Sequence, residues 1–385
     1  LKPWQFGDST MEMEEQTTGT GLVSSPTPSP SPPSFFHCDY SDWSPSFSII
    51  PAVYLLAFVV GCLGNGLVLW VYLDRSERRR TRRGDKSGVG NLALADLCFL
   101  VTLPLWAVYT GMGYHWPFGQ PLCQISSFLT ALNMYASVFS LSMLSVERYW
   151  VLTGRRHSGH QVQQSCPTRA LLILGGVWLL AGILAFPGFL LLHPTDSGSV
   201  FLSCQMDYSI LMGPELEETE REQAEMWWAA ALSLKSTLIG FILPLVILLV
   251  CYCSLAQLLS KHFGRGPRPD RRRQQRLLRV IVTLVMAFFL CWLPLHVNKT
   301  LSMLVEFGFI PYSCSLDQML LSAHPYVTCL AYLNSCLNPL LYAACDPAFR
   351  NKCRSLLLYG YMNKTLSKQK YMLEVIVHFK EINEN

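Results

Sequence analysis

The sequence predicts an all-α membrane protein: a seven-transmembrane helix bundle followed by a short amphipathic helix 8. Three observations predict it. Apolar residues make up 51% of the 385 and charged ones only 15%, with a mean hydropathy of +0.28, whereas a soluble domain carries about 25% charge. The charges are also segregated, since Leu97 to Val146 is a stretch of 50 residues without Asp, Glu, Lys or Arg. Finally, several long runs are apolar on all sides. A water-facing surface cannot be built on such stretches, which excludes soluble enzyme folds.

A helix needs roughly 20 apolar residues to cross the hydrocarbon. Five uncharged runs meet that length: Ile49–Leu73, Ala170–Leu192, Ser236–Ser260, Val280–Asn298 and Gln318–Cys345. The long neutral block breaks at the turn-forming Trp116-Pro117-Phe118-Gly119 and supplies two more, Val89–Tyr109 and Cys123–Leu152. Barrel strands would alternate over about 10 residues; these runs do not.

Basic residues mark the cytoplasmic side. The segments 74–88, 147–169, 261–279 and 346–385 hold 26 of the 30 Lys and Arg against nine acids. The opposite set (1–48, 110–122, 193–226 and 306–317) holds two bases and 16 acids. The expected protein is therefore multi-pass, with its N-terminus outside. Residues 1–48 read as an extracellular disordered tail, 49–345 as the seven-span bundle, 346–357 as helix 8 and 358–385 as a cytoplasmic tail. The Ser/Pro run at 24–34 cannot pack a core. Residues 1–12 read as lying upstream of a start at Met13.

Of 14 cysteines, Cys38, Cys123, Cys204 and Cys314 fall on the outer side, where disulfides persist. Four cysteines allow three pairings. Joining Cys123, at the head of a span, to Cys204 would draw the second outer loop over the bundle mouth. Cys38–Cys314 would then tie the tail to the last outer loop. Cys345 and Cys353, just past the last span, suit lipidation.

Ionisable groups at membrane depth cost at least about 2.5 kcal/mol, so each needs a partner or a task. Asp96 lies within span two, and Asn133, Ser137, Asn334, Ser335 and Asn338 are polar groups able to meet it. One carboxylate among neutral oxygens is hard-cation chemistry, and a sodium ion held by Asp96, Asn133 and Ser137 is expected; no other cofactor is. Glu147-Arg148-Tyr149 ends span three on the basic side. Pro244, Pro294 and Pro339 each remove a backbone hydrogen bond and place a kink or hinge.

Gly64-Asn65, Leu94-Ala95-Asp96-Leu97, Glu147-Arg148-Tyr149, Trp178, Pro244, Cys291-Trp292-Leu293-Pro294 and Asn338-Pro339-Leu340-Leu341-Tyr342 put one marker in each span, in order. This set resembles the rhodopsin-like (class A) G-protein-coupled receptors. Opsins need a Lys in span seven for retinal, and this span has none. Further strings, among them Cys38-Asp39-Tyr40-Ser41-Asp42-Trp43, Val101-Thr102-Leu103-Pro104-Leu105-Trp106 and Asn133-Met134-Tyr135-Ala136-Ser137, resemble the apelin-receptor branch of that family.

That resemblance implies basic peptide ligands (apelin and Elabela) and partners that include an inhibitory heterotrimeric G protein, the lipid bilayer and arrestin, but no nucleic acid. It implies that Asp39, Asp42 and Asp317 meet basic groups of the peptide, and that Tyr54, Trp106, Lys299 and Tyr332 line a deeper pocket. Glu147, Arg148, Tyr149, Trp292, Pro294, Asn338, Pro339 and Tyr342 would form the activation switch. The chain departs from the pattern at Gly113, His115, Trp150, Gly154 and Leu295. Gly113, His115 and Leu295 bear on peptide preference, while Trp150, Gly154 and the unusual tail after Arg354 leave an atypical peptide-scavenging receptor with weak G-protein coupling as the alternative. No nucleophile–base pair, metal cluster or phosphate loop suggests an enzyme.

Overall fold

The computed structural model describes residues 46–73, 83–154, 167–196, 202–212, 217–261, 268–345, 347 and 349–355. Cys38, Asp39, Asp42, Met13 and the tail after 355 lie outside the described residues. Helix α1 (Ser46–Leu73) is span one. Span two is built from α2 (Arg83–Leu100) and α3 (Leu103–Gly111), and span three is α4 (Gly119–Gly154). Span four is α5 (Pro167–Leu191). A hairpin of β1 (Leu192–Asp196) and β2 (Leu202–Met206) leads to α6 (Glu218–Thr237). A π-turn (Leu238–Ile242) joins α6 to α7 (Leu243–Lys261), completing span five. Helices α8 (Arg268–Glu306) and α9 (Cys314–Cys345) are spans six and seven. A short α10 covers 349–355, within the expected 346–357.

Among the described residues, the first six spans are long and apolar enough to cross a membrane by length and composition. The seventh, α9, is long enough but diluted by Asp317, His324, Asn334, Ser335 and Asn338. The last three of those are buried inside the bundle, so the dilution marks an inward polar face. Helix α4 is the central post, packing on α2, α5 and α7, while α1 packs on α9, α2 and α3. Val68, Leu92, Leu141, Leu284 and Phe288 fill the shared core. Leucines such as Leu63, Leu179 and Leu290 are more than half exposed and form the lipid-facing surface.

Backbone groups freed inside a bilayer must find partners within the protein, and three prolines show how that is done. Pro104 cannot bond the carbonyl four residues back, and span two breaks between Leu100 and Leu103 instead of running unbroken as the apolar pattern suggested. Thr102 covers the break, its hydroxyl donating to the Phe99 carbonyl at 2.7 Å. Upstream of Pro244 the chain widens into the π-turn, where Gly240 packs so tightly that a Cβ would stand 3.0 Å from Met134 Cε. Pro339 frees the Ser335 carbonyl, which Asn65 Nδ2 reaches across from α1 at 2.9 Å. The approach depends on Gly64, where an added Cβ would come within 2.8 Å of Pro339 Cβ.

One short hairpin accompanies the helical bundle: Leu192–Asp196 pairs antiparallel with Leu202–Met206, Leu192 facing Met206, because a chain crossing the bundle mouth can satisfy its backbone by folding on itself. The acidic residues that follow the hairpin are largely helical. Glu218, Glu220, Glu222 and Glu225 lie on the first turns of α6, where carboxylates complement the helix dipole; Glu215 lies outside the described residues.

Replacing Asn65 by Leu leaves the Ser335 carbonyl without a donor inside the bundle, at a cost of about 1–3 kcal/mol. Thermal unfolding of the purified protein in detergent is expected to move down by several degrees, and an unchanged midpoint would show that the contact is unimportant.

Candidate functional site

At the hairpin end, aromatic side chains form a continuous wall. Trp116 is fully buried against the Cys123–Cys204 disulfide, its ring 5.4 Å from Trp106 and 5.2 Å from Phe118. Its indole N–H donates to the Gly119 carbonyl at 2.9 Å, and its backbone N–H donates to Leu202 of β2. His115 Nδ1 accepts from the Leu202 N–H at 3.2 Å, and Tyr109 and Ser203 share a hydrogen bond of 2.9 Å. The 113–119 turn and the disulfide therefore hold the hairpin across the bundle as one unit. Cys314 is also disulfide-bonded; Cys38, its expected partner, lies outside the described residues.

Below that cover, the structure gathers Tyr54, Trp106 and Tyr332 from three different spans around one apolar cluster. The Tyr332 ring lies 5.7 Å from Tyr54 and 4.9 Å from Phe99. Lys299 lies in span six, on α8, one turn after His296. Asp317 stands at the rim, half-buried in the first turn of α9, and accepts a hydrogen bond from the Tyr312 hydroxyl at 3.3 Å. Trp292 forms the floor, stacked on Phe288 at 5.8 Å. Near the hairpin, the Tyr208 hydroxyl is pushed up to about 12 by burial, with the negative charge of Glu225 adding to the shift.

Three buried nitrogens in this shaft, Trp106 Nε1, Trp292 Nε1 and His296 Nε2, have no hydrogen-bond partner among the described residues. Leaving such a group unmet costs about 1–3 kcal/mol. His296 is positioned through its other nitrogen, which shares a 3.0 Å hydrogen bond with Thr237. Such unmet polar atoms beside aromatic rings suit a ligand that supplies the missing hydrogen-bond partners.

Deeper in the bundle, Asp96 is wholly buried. It accepts from Asn338 Nδ2 at 2.7 Å and from Asn133 Nδ2 at 3.0 Å, and the Ser335 and Ser137 hydroxyls also reach it. Ser335 Oγ donates to Asn133 Oδ1 at 3.1 Å, and Asn133 Nδ2 contacts Ser137 Oγ at 3.3 Å. Among the described residues the buried Asn334 Oδ1, on the same helix as Ser335, has no donor. One carboxylate among neutral oxygens fits a small hard cation.

The chain matches the model of the "7 transmembrane receptor (rhodopsin family)" over residues 64–342. It belongs to that family. Apelin receptor A of Danio rerio is 44% identical over 347 residues, covering 88% of this chain and 92% of the relative. The apelin receptor of Xenopus tropicalis is 42% identical, covering 82% of each. Type-1 angiotensin II receptor B of Xenopus laevis is 33% identical, covering 81% of this chain and 80% of the relative. This is a membrane-embedded signalling receptor and not an enzyme.

In this receptor, Glu147, Arg148 and Tyr149 end span three inside α4, with the Glu147 and Arg148 side chains outside the described residues. One turn above them, Ser145 Oγ and the Tyr252 hydroxyl of α7 share a 2.9 Å hydrogen bond. Pro339 and Tyr342 are buried, and Tyr342 packs 6.1 Å from Phe349 of α10. Cys353 packs beside the same core. Sequence reasoning missed Asn91, which donates to Ser140 Oγ at 2.8 Å and accepts from the Trp178 indole. It also missed Tyr252, and it named Asn65 as a marker of span one without its partner. An Asn in an otherwise apolar run was an available signal for Asn91; no local pattern distinguishes Tyr252.

Exchanging Cys204 for Ser releases the hairpin from α4 and is expected to destabilise the receptor by about 2–5 kcal/mol. Ligand affinity should fall as well. Thermal unfolding and binding of a labelled peptide measure both; retention of both would show that the cover is held without the disulfide.

Proposed function

We propose that this receptor sits in the plasma membrane with its N-terminus outside, binds basic peptides of the apelin and Elabela type, and signals through inhibitory G proteins to lower cyclic AMP. The unmet Trp106, Trp292 and His296 nitrogens in a capped aromatic shaft carry this reading, since they favour an occupant rich in backbone polar groups. The charge pattern supports it: the hairpin side holds Glu217, Glu218, Glu220, Glu222 and Glu225, a field that draws a cation in before contact. Asp39, Asp42 and Asp317 meet the peptide's basic side chains. Tyr54, Trp106 and Tyr332 hold its deeper part, and Lys299 offers a positive charge from α8. Two of the relatives named above are apelin receptors, which points to the same ligands.

Signalling follows as a population shift, limited by the difference in peptide affinity between the two states. Pressure on Trp292 swings the basic half of α8 about Pro294, uncovering Arg148 for the G protein. Asn338, Pro339 and Tyr342 adjust in span seven, with Glu147 and Tyr149 flanking the arginine. A sodium ion, where bound, would supply one positive charge to the buried Asp96 carboxylate. Asp96, Asn133 and Ser137 would hold it, with Ser335 and Asn334 as further oxygen donors. By reciprocity, sodium loosens the agonist and the G protein tightens it. Arrestin would bind the same underside, and lipidation of Cys353 would fix α10 to the bilayer.

Cells displaying the receptor are expected to bind labelled apelin and to suppress forskolin-raised cyclic AMP. Binding without suppression would point to a peptide scavenger, and no binding would refute the ligand assignment. Changing Glu217, Glu218, Glu220, Glu222 and Glu225 together to Gln should weaken apelin roughly tenfold or more at low salt and less at high salt, because exposed charges are screened. In the Asp96→Asn variant, sodium should no longer lower agonist affinity, as read by competition binding with and without the ion; full retention of the effect would eliminate the ion site.

A further inference from the structure

Lys235 belongs to none of the groups described so far. It lies on α6, one turn before the π-turn. Its neighbours Leu234 and Leu238 are each 47% exposed on the lipid-facing surface, while Lys235 is half-buried. Its ammonium turns inward to where three helices meet, donating to the Leu184 carbonyl of α5 at 2.9 Å. The same nitrogen lies 6.0 Å from the centre of the Tyr135 ring of α4. Among the described residues no carboxylate bonds it, and Asp96, the acid within span two, is occupied by Asn133 and Asn338.

A lysine ammonium has three donors, and one backbone carbonyl satisfies one of them. A neutral carbonyl and an aromatic face only partly offset a charge placed at this depth. A carboxylate would supply the missing negative charge and take up the remaining donors through charge-assisted bonds, which are about twice as strong as neutral ones. One backbone carbonyl and one aromatic ring are the partners shown for the ammonium, and the flanking Leu234 and Leu238 are exposed apolar side chains, a setting that suits an anion with an apolar body better than a hydrated one. The π-turn directly below is a distortion of the kind that accompanies functional sites. We propose that Lys235 anchors an anion site, at the meeting of α4, α5 and α6, for a carboxylate carried on an apolar body.

Two sources present that chemistry: the C-terminus of a peptide ending in an apolar residue, approaching from the shaft, and a fatty acid, approaching from the bilayer past Leu234 and Leu238. The peptide source rests on the function proposed above; the lipid source does not.

The full-length receptor in nanodiscs separates them. One arm compares binding of apelin as the free acid and as the C-terminal amide; the other compares thermal stabilisation by oleic acid and by methyl oleate. Wild type is expected to prefer the acid by about tenfold in at least one arm. Lys235→Arg keeps the preference, while Lys235→Gln and Lys235→Ser reduce it to within about twofold, which is the result expected for loss of one charge-assisted partner. The arm that responds names the source. Absence of an acid preference in both wild-type arms overturns the proposal, as does a preference that survives both neutral variants or that is lost in Lys299→Met instead. A receptor that binds neither form of apelin refutes the hormone reading, and the oleic acid arm then decides this one.

Discussion

A buried carboxylate in a medium without water must be met by the protein itself, and Asp96 shows how much structure that demand organises. Asn338 of α9 and Asn133 of α4 both donate to it, Ser335 donates to Asn133, and Asn65 of α1 donates to the Ser335 carbonyl. Four spans are thereby joined through one polar thread. An ionised side chain at this depth costs at least about 2.5 kcal/mol if left alone, so the thread cannot be pulled apart piecemeal. The proline in span seven depends on it as well, because the carbonyl that Pro339 frees is the one Asn65 satisfies. Polar residues that dilute the hydropathy of α9 are what fasten that helix to the bundle.

The two ends of the bundle answer the same demand differently. At the hairpin end, the chain passing over the mouth satisfies its backbone by pairing with itself, and the Cys123–Cys204 disulfide, Trp116 and His115 lock it in place. The shaft beneath is aromatic and retains unmet nitrogens at Trp106, Trp292 and His296. At the arginine end, Tyr252 and Ser145 link α7 to α4, and Tyr342 rests on Phe349. Between the ends, span two breaks before Pro104 and span five widens before Pro244, while Pro294 and Pro339 lie within continuous helices. Such breaks let one half of a helix move without unfolding the other, which is what a receptor coupling two distant faces requires.

Much of this was legible in the sequence because bilayer physics is strict. Uncharged runs of the right length had to be spans, and the segregation of Lys and Arg indicated an orientation. Tyr54, Trp106 and Tyr332 share one cluster, and of the polar groups named as partners for Asp96, Asn133, Ser137, Ser335 and Asn338 lie against it while Asn334 does not bond it. Less was legible wherever a local pattern had more than one physical solution. The run Val89–Tyr109 is apolar whether or not it breaks at Pro104. Glu218 to Glu225 are acidic whether they sit in a loop or on the first turns of α6. Lys235 is a lone basic residue at the edge of an apolar run whatever it meets, and only the fold brings it to Leu184 and Tyr135.

Composition and order along the chain were enough to determine a multi-span helical protein, the family markers in each span and the residues able to carry charge inside the membrane. These follow from transfer free energies, which depend on side-chain type and run length alone. Only the folded bundle decided which polar group meets which, where a proline breaks a helix rather than bending it, and which nitrogens remain unmet. Those outcomes depend on distances between helices far apart in the chain, and such distances arise from close packing at positions such as Gly64 and Gly240, which no single run encodes.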